Sequence, residues 1–231
     1  MRQFSYNRGL PHLWFSVSHH LEHTPHMFTL FLTGAGLAAS AGLNAYLPIL
    51  ILALVDRTTS FVDLPTPYNW LSSNLGLLVI LLLLPLELIP DKIARIDHIS
   101  DLIHTAIRPG AAALAFMAVA HQNDDIHLVI ALLFGLVIGG AVHWLKATSR
   151  PGITDTTNGL GNPIISLLED VLAGVLALVA VFFPYGLLIV APVGFWYLNR
   201  MYVRMQSGDS RLIAPFKSVI AAQRNKVAEE S

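Results

Sequence analysis

Six separated runs of apolar side chains dominate this chain, and few folds can accept them. They cover Phe28–Val55, Leu75–Ile89, Ile99–Ala120, Ile126–Leu145, Pro163–Phe183 and Tyr185–Val203. A helix that crosses a bilayer needs about 20 mostly apolar residues. The pattern predicts an all-α polytopic membrane protein with about six transmembrane helices. Residues 1–27 then form a His-containing interfacial segment, 28–205 the membrane domain and 206–231 a polar cytoplasmic tail. The chain turns from the fifth run into the sixth at Pro184-Tyr185-Gly186, which predicts an antiparallel hairpin.

Composition agrees. Charged residues make up 13% of the chain and apolar ones 54%, whereas a soluble domain carries roughly 25% charge. Mean hydropathy is +0.60. With 14 basic and 15 acidic residues, the chain lacks the basic excess of a nucleic-acid binder. It has no cysteine, which removes disulfides, thiolate metal sites and cysteine nucleophiles.

Basic residues set the expected orientation, because they gather on the cytoplasmic side. With the N-terminus inside, all of the Lys and Arg residues except Arg57 and Arg108 fall inside. Both termini are therefore expected to be cytoplasmic, in a plasma (inner) membrane. Gly34, Ala38 and Gly42, and likewise Gly135 and Gly139, recur every four residues. Such faces let helix backbones approach and allow a homodimer.

Ionisable side chains inside a membrane helix are costly and point to function. Glu87 and Asp91 stand one turn apart at the inner end of the second run. Lys92 follows, and Asp97, Asp101, His104 and Arg108 share one helix face. His143, Lys146 and Arg150 repeat that spacing, and Glu169 and Asp170 lie in the fifth run. Together with Asn44 these residues are expected to line one polar chamber. Asp97, His98 and Asp101 have the spacing and donor types to share a divalent metal, the one candidate cofactor. Asn158, Gly159, Gly161 and Asn162 precede Pro163 in a loop that predicts a capped helix start and an anion-binding turn, with Lys146 and Arg150 supplying charge. His12, His19, His20, His23 and His26 suit an interfacial helix or a metal cluster.

Three readings of function follow. The first is a small transporter or channel that handles a proton, a cation or a small solute through the chamber. The second is a metal-dependent enzyme acting on a lipid phosphate, with Asp97, His98 and Asp101 on the metal. The third is an accessory subunit whose charges only join helices. The lipid bilayer is the expected partner in all three, and nucleic acid in none.

The motifs also carry a family likeness. They are Gly42-Leu43-Asn44-Ala45-Tyr46-Leu47-Pro48, then Asp91-Lys92-Ile93 with Asp97-His98, then Asp101-Leu102-Ile103-His104-Thr105 and Arg108-Pro109. They resume at His143, Lys146 and Arg150, and end in Gly159-Leu160-Gly161-Asn162-Pro163 with Ser166, Glu169 and Asp170. In these the chain resembles an uncharacterised integral membrane family, domain of unknown function 4126, over roughly residues 34–185. The resemblance implies a multi-pass membrane protein and supplies no substrate.

Overall fold

The computed structural model describes the backbone of residues 12–88, 97–121, 126–157 and 161–207, and side chains there from residue 27 on, except for 86 and 97–104. Among these residues the fold is all-α, with no strand. The helices are α1 (His12–Leu43), α2 (Tyr46–Thr58), α3 (Asn74–Leu88), α4 (Asp97–Ala120), α5 (Leu128–Thr157), α6 (Asn162–Phe182) and α7 (Leu187–Gln206). Short 3-10 turns cover Tyr68–Ser72 and Pro184–Gly186.

The last five apolar runs correspond to α3–α7, with ends shifted by a few residues, and α5 continues twelve residues past Leu145 to Thr157. The first run does not form one helix. It breaks at Asn44-Ala45, and the chain reverses there. The direction of each arm is read from its neighbours on α6. Thr29 Oγ1 lies 2.9 Å from the Tyr185 hydroxyl, beyond the end of α6. Further along α1, Ser40 donates to the Ala173 carbonyl at 2.7 Å and Asn44 to Asp170 at 3.0 Å. So α1 runs antiparallel to α6. A Cβ on Gly174 would meet Leu47 at 3.6 Å, and the Phe61 ring stacks edge-on against Phe182 at 5.3 Å. So α2 runs parallel to α6, and α1 and α2 are the arms of a hairpin. Its tip is buried, with Asn44 and Ala45 only 1% and 0% exposed.

This reversal corrects the expected placement of the ends. Thr29 stands at the end of the bundle where α6 turns into α7, whereas Gln206, at the end of α7, donates to the Ser149 carbonyl at the opposite end. An odd number of passes lies between them.

Small residues bring the helices together. A Cβ on Gly139 would lie 2.2 Å from Ala112 Cβ, and one on Gly42 2.6 Å from the Gly139 carbonyl oxygen. The faces expected to allow a homodimer are occupied within the chain, by contacts among α1, α4 and α5. Large apolar side chains point outward instead: Val137 on α5 is 67% exposed and Leu167 on α6 57%. Among the described residues two helices, α5 and α6, are long and apolar enough to cross a membrane, and only 28% and 39% of their apolar windows is buried.

Candidate functional site

The hairpin tip leaves backbone polar groups without helical partners, and buried ones must be satisfied elsewhere. Side chains meet four of them. Glu87, at the end of α3, accepts the Ala45 N–H at 3.0 and 2.9 Å and the Tyr46 N–H at 3.3 Å. Asn44 Oδ1 accepts the Leu47 N–H at 3.0 Å. Pro48 falls in the first turn of α2, where its missing N–H costs no bond. On the other arm, Lys146 Nζ donates to the Leu43 carbonyl at 3.0 Å. The charges match the helix dipoles: a carboxylate at the N-terminus of α2 and an ammonium at the C-terminus of α1.

From these two groups an ion-pair network spreads through α3–α7. Arg108 Nε donates to Glu87 Oε1 at 3.0 Å, with both side chains buried. Arg108 Nη1 lies 3.2 Å from His143 Nδ1, and His143 Nε2 lies 3.2 Å from Thr105 Oγ1. A guanidinium only donates, so Nδ1 accepts and the proton of a neutral His143 sits on Nε2. Around α6, Glu169 Oε2 pairs with Lys146 Nζ at 3.0 Å and Arg150 Nη2 at 2.5 Å, while its Oε1 accepts the Tyr202 hydroxyl. Glu87, Arg108, Lys146, Arg150 and Glu169 are each 2% exposed or less.

The structure thus gathers Asn44, Glu87, Arg108, His143, Lys146, Arg150, Glu169 and the half-buried Asp170 about one hairpin tip. Asp91 and Lys92 lie outside the described residues, as do the side chains of Asp97, His98, Asp101 and His104 and those of the His-rich segment up to His26. The metal candidates Asp97, His98 and Asp101 are therefore placed only by their backbone in α4. Among the described residues no group of three His, Asp or Glu side chains could hold a metal.

The expected anion-binding turn is described only in part. Asn158 and Gly159 lie outside the described residues. Asn162 does not cap α6; its amide lies 3.0 Å from Thr154 Oγ1, and the preceding Gly161 N–H is taken by Thr157 Oγ1 at 3.0 Å. Gly161 packs so closely that a Cβ would meet Ile153 at 2.8 Å. Lys146 and Arg150, expected to supply charge to that turn, are engaged by Glu169.

Sequence reasoning missed Tyr202, Thr105 and the Leu43 carbonyl. Tyr202 had a signal: with Leu198 and Met205 it forms a buried stripe at helical spacing on α7. Thr105 stood at the end of the Asp101–Thr105 motif without a role assigned to it, and a backbone acceptor at a hairpin tip is invisible before the hairpin is seen.

A family model described as a domain of unknown function (DUF4126) matches residues 31–204. This chain belongs to that family. The matched span takes in every described member of the network, from Asn44 to Tyr202. No curated protein and no solved structure matches the chain.

Proposed function

We propose that the protein is a small integral membrane transporter whose translocation site is the charged chamber at the α1–α2 tip. The observation that carries this reading is an inverted distribution of polarity. Apolar side chains cover the outside, and five charged side chains meet inside. Water would favour the reverse arrangement; a bilayer favours this one, with ionisable groups turned to the interior of the bundle.

The hairpin supports the same reading. Arm α2 has 13 residues, about 20 Å at helical rise, which is short of the roughly 30 Å hydrocarbon core. Non-helical backbone at membrane depth needs protein or a polar cavity around it, and Glu87, Asn44 and Lys146 provide that here. Discontinuous helices whose ends meet charged groups are a recurrent way to build a solute site within a membrane. Lys146, Arg150, Arg200 and Arg204 stand toward the chamber end, against Arg57 at the other. On this reading the chamber end is the cytoplasmic one, in a plasma membrane, and Thr29 faces the opposite side.

The close pairing of the charges favours one rival, an accessory protein in which they only hold helices together. Reconstituted vesicles separate the two. Proteoliposomes placed in iso-osmotic solutions of small salts and neutral solutes should swell faster than empty vesicles for at least one solute, and Glu169→Gln should abolish the difference while still inserting. Wild-type vesicles indistinguishable from empty ones across the panel would overturn the transport reading in favour of the rival.

A further inference from the structure

A groove runs along the outside of the fold between α6 and α7. Its volume is about 330 Å³, against roughly 150 Å³ for a cavity that holds benzene. On α7 its lining extends from Ile189 to Leu198, about 13 Å at helical rise. The two helices meet closely within it, where a Cβ on Gly194 would lie 2.4 Å from Leu172. Val175, Ile189 and Val193 line it and are exposed. Apart from Tyr197 at one end, the lining is aliphatic. A long aliphatic slot gives a hydrocarbon chain contacts along its whole length and gives a polar body none.

The Tyr197 end of the groove selects the molecule that carries the chain. Val193, Tyr197, Arg200 and Arg204 follow at spacings of four, three and four, so both arginines continue the groove's face of α7. Both are exposed, and among the described residues neither is paired with a carboxylate. The Arg200 guanidinium lies over the Trp196 ring, 5.3 Å from its centre. Stacked in this way, its in-plane N–H groups remain available to an anion. Neither helix turns a carboxylate to this surface: α7 has none, Glu169 is buried, and Asp170 accepts from Asn44 on α1. Trp196 and Tyr197 are exposed one turn before Arg200, and such aromatic pairs settle at the headgroup level of a bilayer. A chain in the groove thus has its headgroup beside the arginines. We propose that the α6–α7 groove seats an acyl chain of an anionic phospholipid from the cytoplasmic leaflet, with its phosphate held by Arg200 and Arg204.

Charge sets this occupant above a second copy of the chain. In a two-fold dimer with both copies upright in the membrane, the patch would meet itself. The arginines of both copies would then share one depth, with no carboxylate on either surface to offset them. Between the arginines in sequence, Tyr202 turns inward and donates to Glu169. The same two turns of α7 therefore hold the buried network on one side and offer the lipid site on the other. The proposal takes its membrane setting and its cytoplasmic side from the preceding reading, and does not require transport.

Tryptophan fluorescence tests it. The chain has four tryptophans, and two of them are placed to report. Trp196 stands beside the groove, whereas Trp144 is exposed on α5, whose Lys146 and Arg150 are buried. Full-length proteins that keep one of these two, with Trp14→Phe and Trp70→Phe, are reconstituted into phosphatidylcholine vesicles. A minor fraction of the lipid is phosphatidylglycerol or phosphatidylcholine with chains brominated near the headgroup end, and bromine quenches tryptophan only at short range. Brominated phosphatidylglycerol is expected to compete for the site at Trp196 about ten-fold better than brominated phosphatidylcholine, with no preference at Trp144. Arg200→Gln with Arg204→Gln, both at exposed positions, should abolish the preference and leave the melting temperature nearly unchanged. Val175→Phe with Val193→Phe, which fill the groove, should weaken quenching of Trp196 by phosphatidylglycerol.

No preference at Trp196, an equal preference at both tryptophans, or quenching indifferent to the arginine or groove variants would each overturn the site. Trp196 shielded from both lipids while Trp144 is quenched would assign the groove to a second copy instead. Quenching of neither tryptophan would contradict the membrane setting itself. Solute flux is read separately. Selective lipid binding in vesicles that pass no solute sustains the site and contradicts transport, while flux without lipid selectivity contradicts the site and leaves transport standing.

Discussion

Glu169 joins three helices through one buried side chain. It meets Lys146, Arg150 and Tyr202 from three directions, on α5 and α7, while itself on α6. Burying such ions costs several kcal/mol each, and only mutual pairing offsets this. Removing the shared anion leaves two buried cations facing one another. Glu169→Gln is therefore expected to destabilise the fold by about 3–5 kcal/mol. Tyr202→Phe, which removes one hydrogen bond to a carboxylate and leaves both ion pairs, should cost about 1.5–3 kcal/mol. Denaturant unfolding in a mild detergent, followed by tryptophan fluorescence, checks the order. Equal losses would mean that the ion pairs contribute nothing beyond the hydroxyl contact.

The hairpin tip depends on contacts from distant parts of the chain. Glu87 is 42 residues from the Ala45 amide it accepts, and Lys146 is 103 from the Leu43 carbonyl it binds. Glu87→Ala should release the Ala45 and Tyr46 amides, so their hydrogen exchange accelerates while the middle of α6 stays protected. Unchanged exchange at the tip would show that Glu87 does not anchor α2. A tight helix crossing lies at Gly139, where a Cβ would lie 2.2 Å from Ala112. Gly139→Val is expected to abolish the folded, monodisperse species on gel filtration. At Gly110, where a Cβ meets nothing within 4 Å, Gly110→Ala should be neutral or slightly stabilising, because a glycine inside a helix costs about 0.5–1 kcal/mol.

Those same distances explain what the sequence did and did not reveal. Five of the six apolar runs announced their helices, because length and hydropathy alone define them. The proline and glycine between the last two marked their turn. The run Phe28–Val55 hid a reversal because Asn44-Ala45 carries none of the usual turn glycines, and its freed backbone groups are satisfied by side chains from α3 and α5. Asn44, a turn-forming residue, and Pro48, in the first turn of α2, were the local traces of it. Periodicity also grouped His143, Lys146 and Arg150 on one face, and all three are buried. It could not say that Glu169 faces inward and the adjacent Asp170 toward Asn44, since that depends on the rotation of α6.

For the molecule as a whole, transport through the chamber requires that the apolar exterior be covered by lipid and that water reach the charged interior from its edge at Thr105. In the bare fold both Val137 and Thr105 are exposed, so geometry alone treats them alike. A bilayer does not. Val137 lies on the outer face of α5, while Thr105 Oγ1 lies 3.2 Å from His143 Nε2 in the network. The chain contains no cysteine, so single-cysteine variants carry no background. The most direct measurement is the rate at which a water-borne, membrane-impermeant thiol reagent modifies Thr105→Cys and Val137→Cys in opened native membrane vesicles. The account predicts rapid modification at 105 and protection at 137 that is lost in denaturant. Rapid modification of Val137→Cys, or an inert Thr105→Cys in vesicles that react after denaturation, would contradict it.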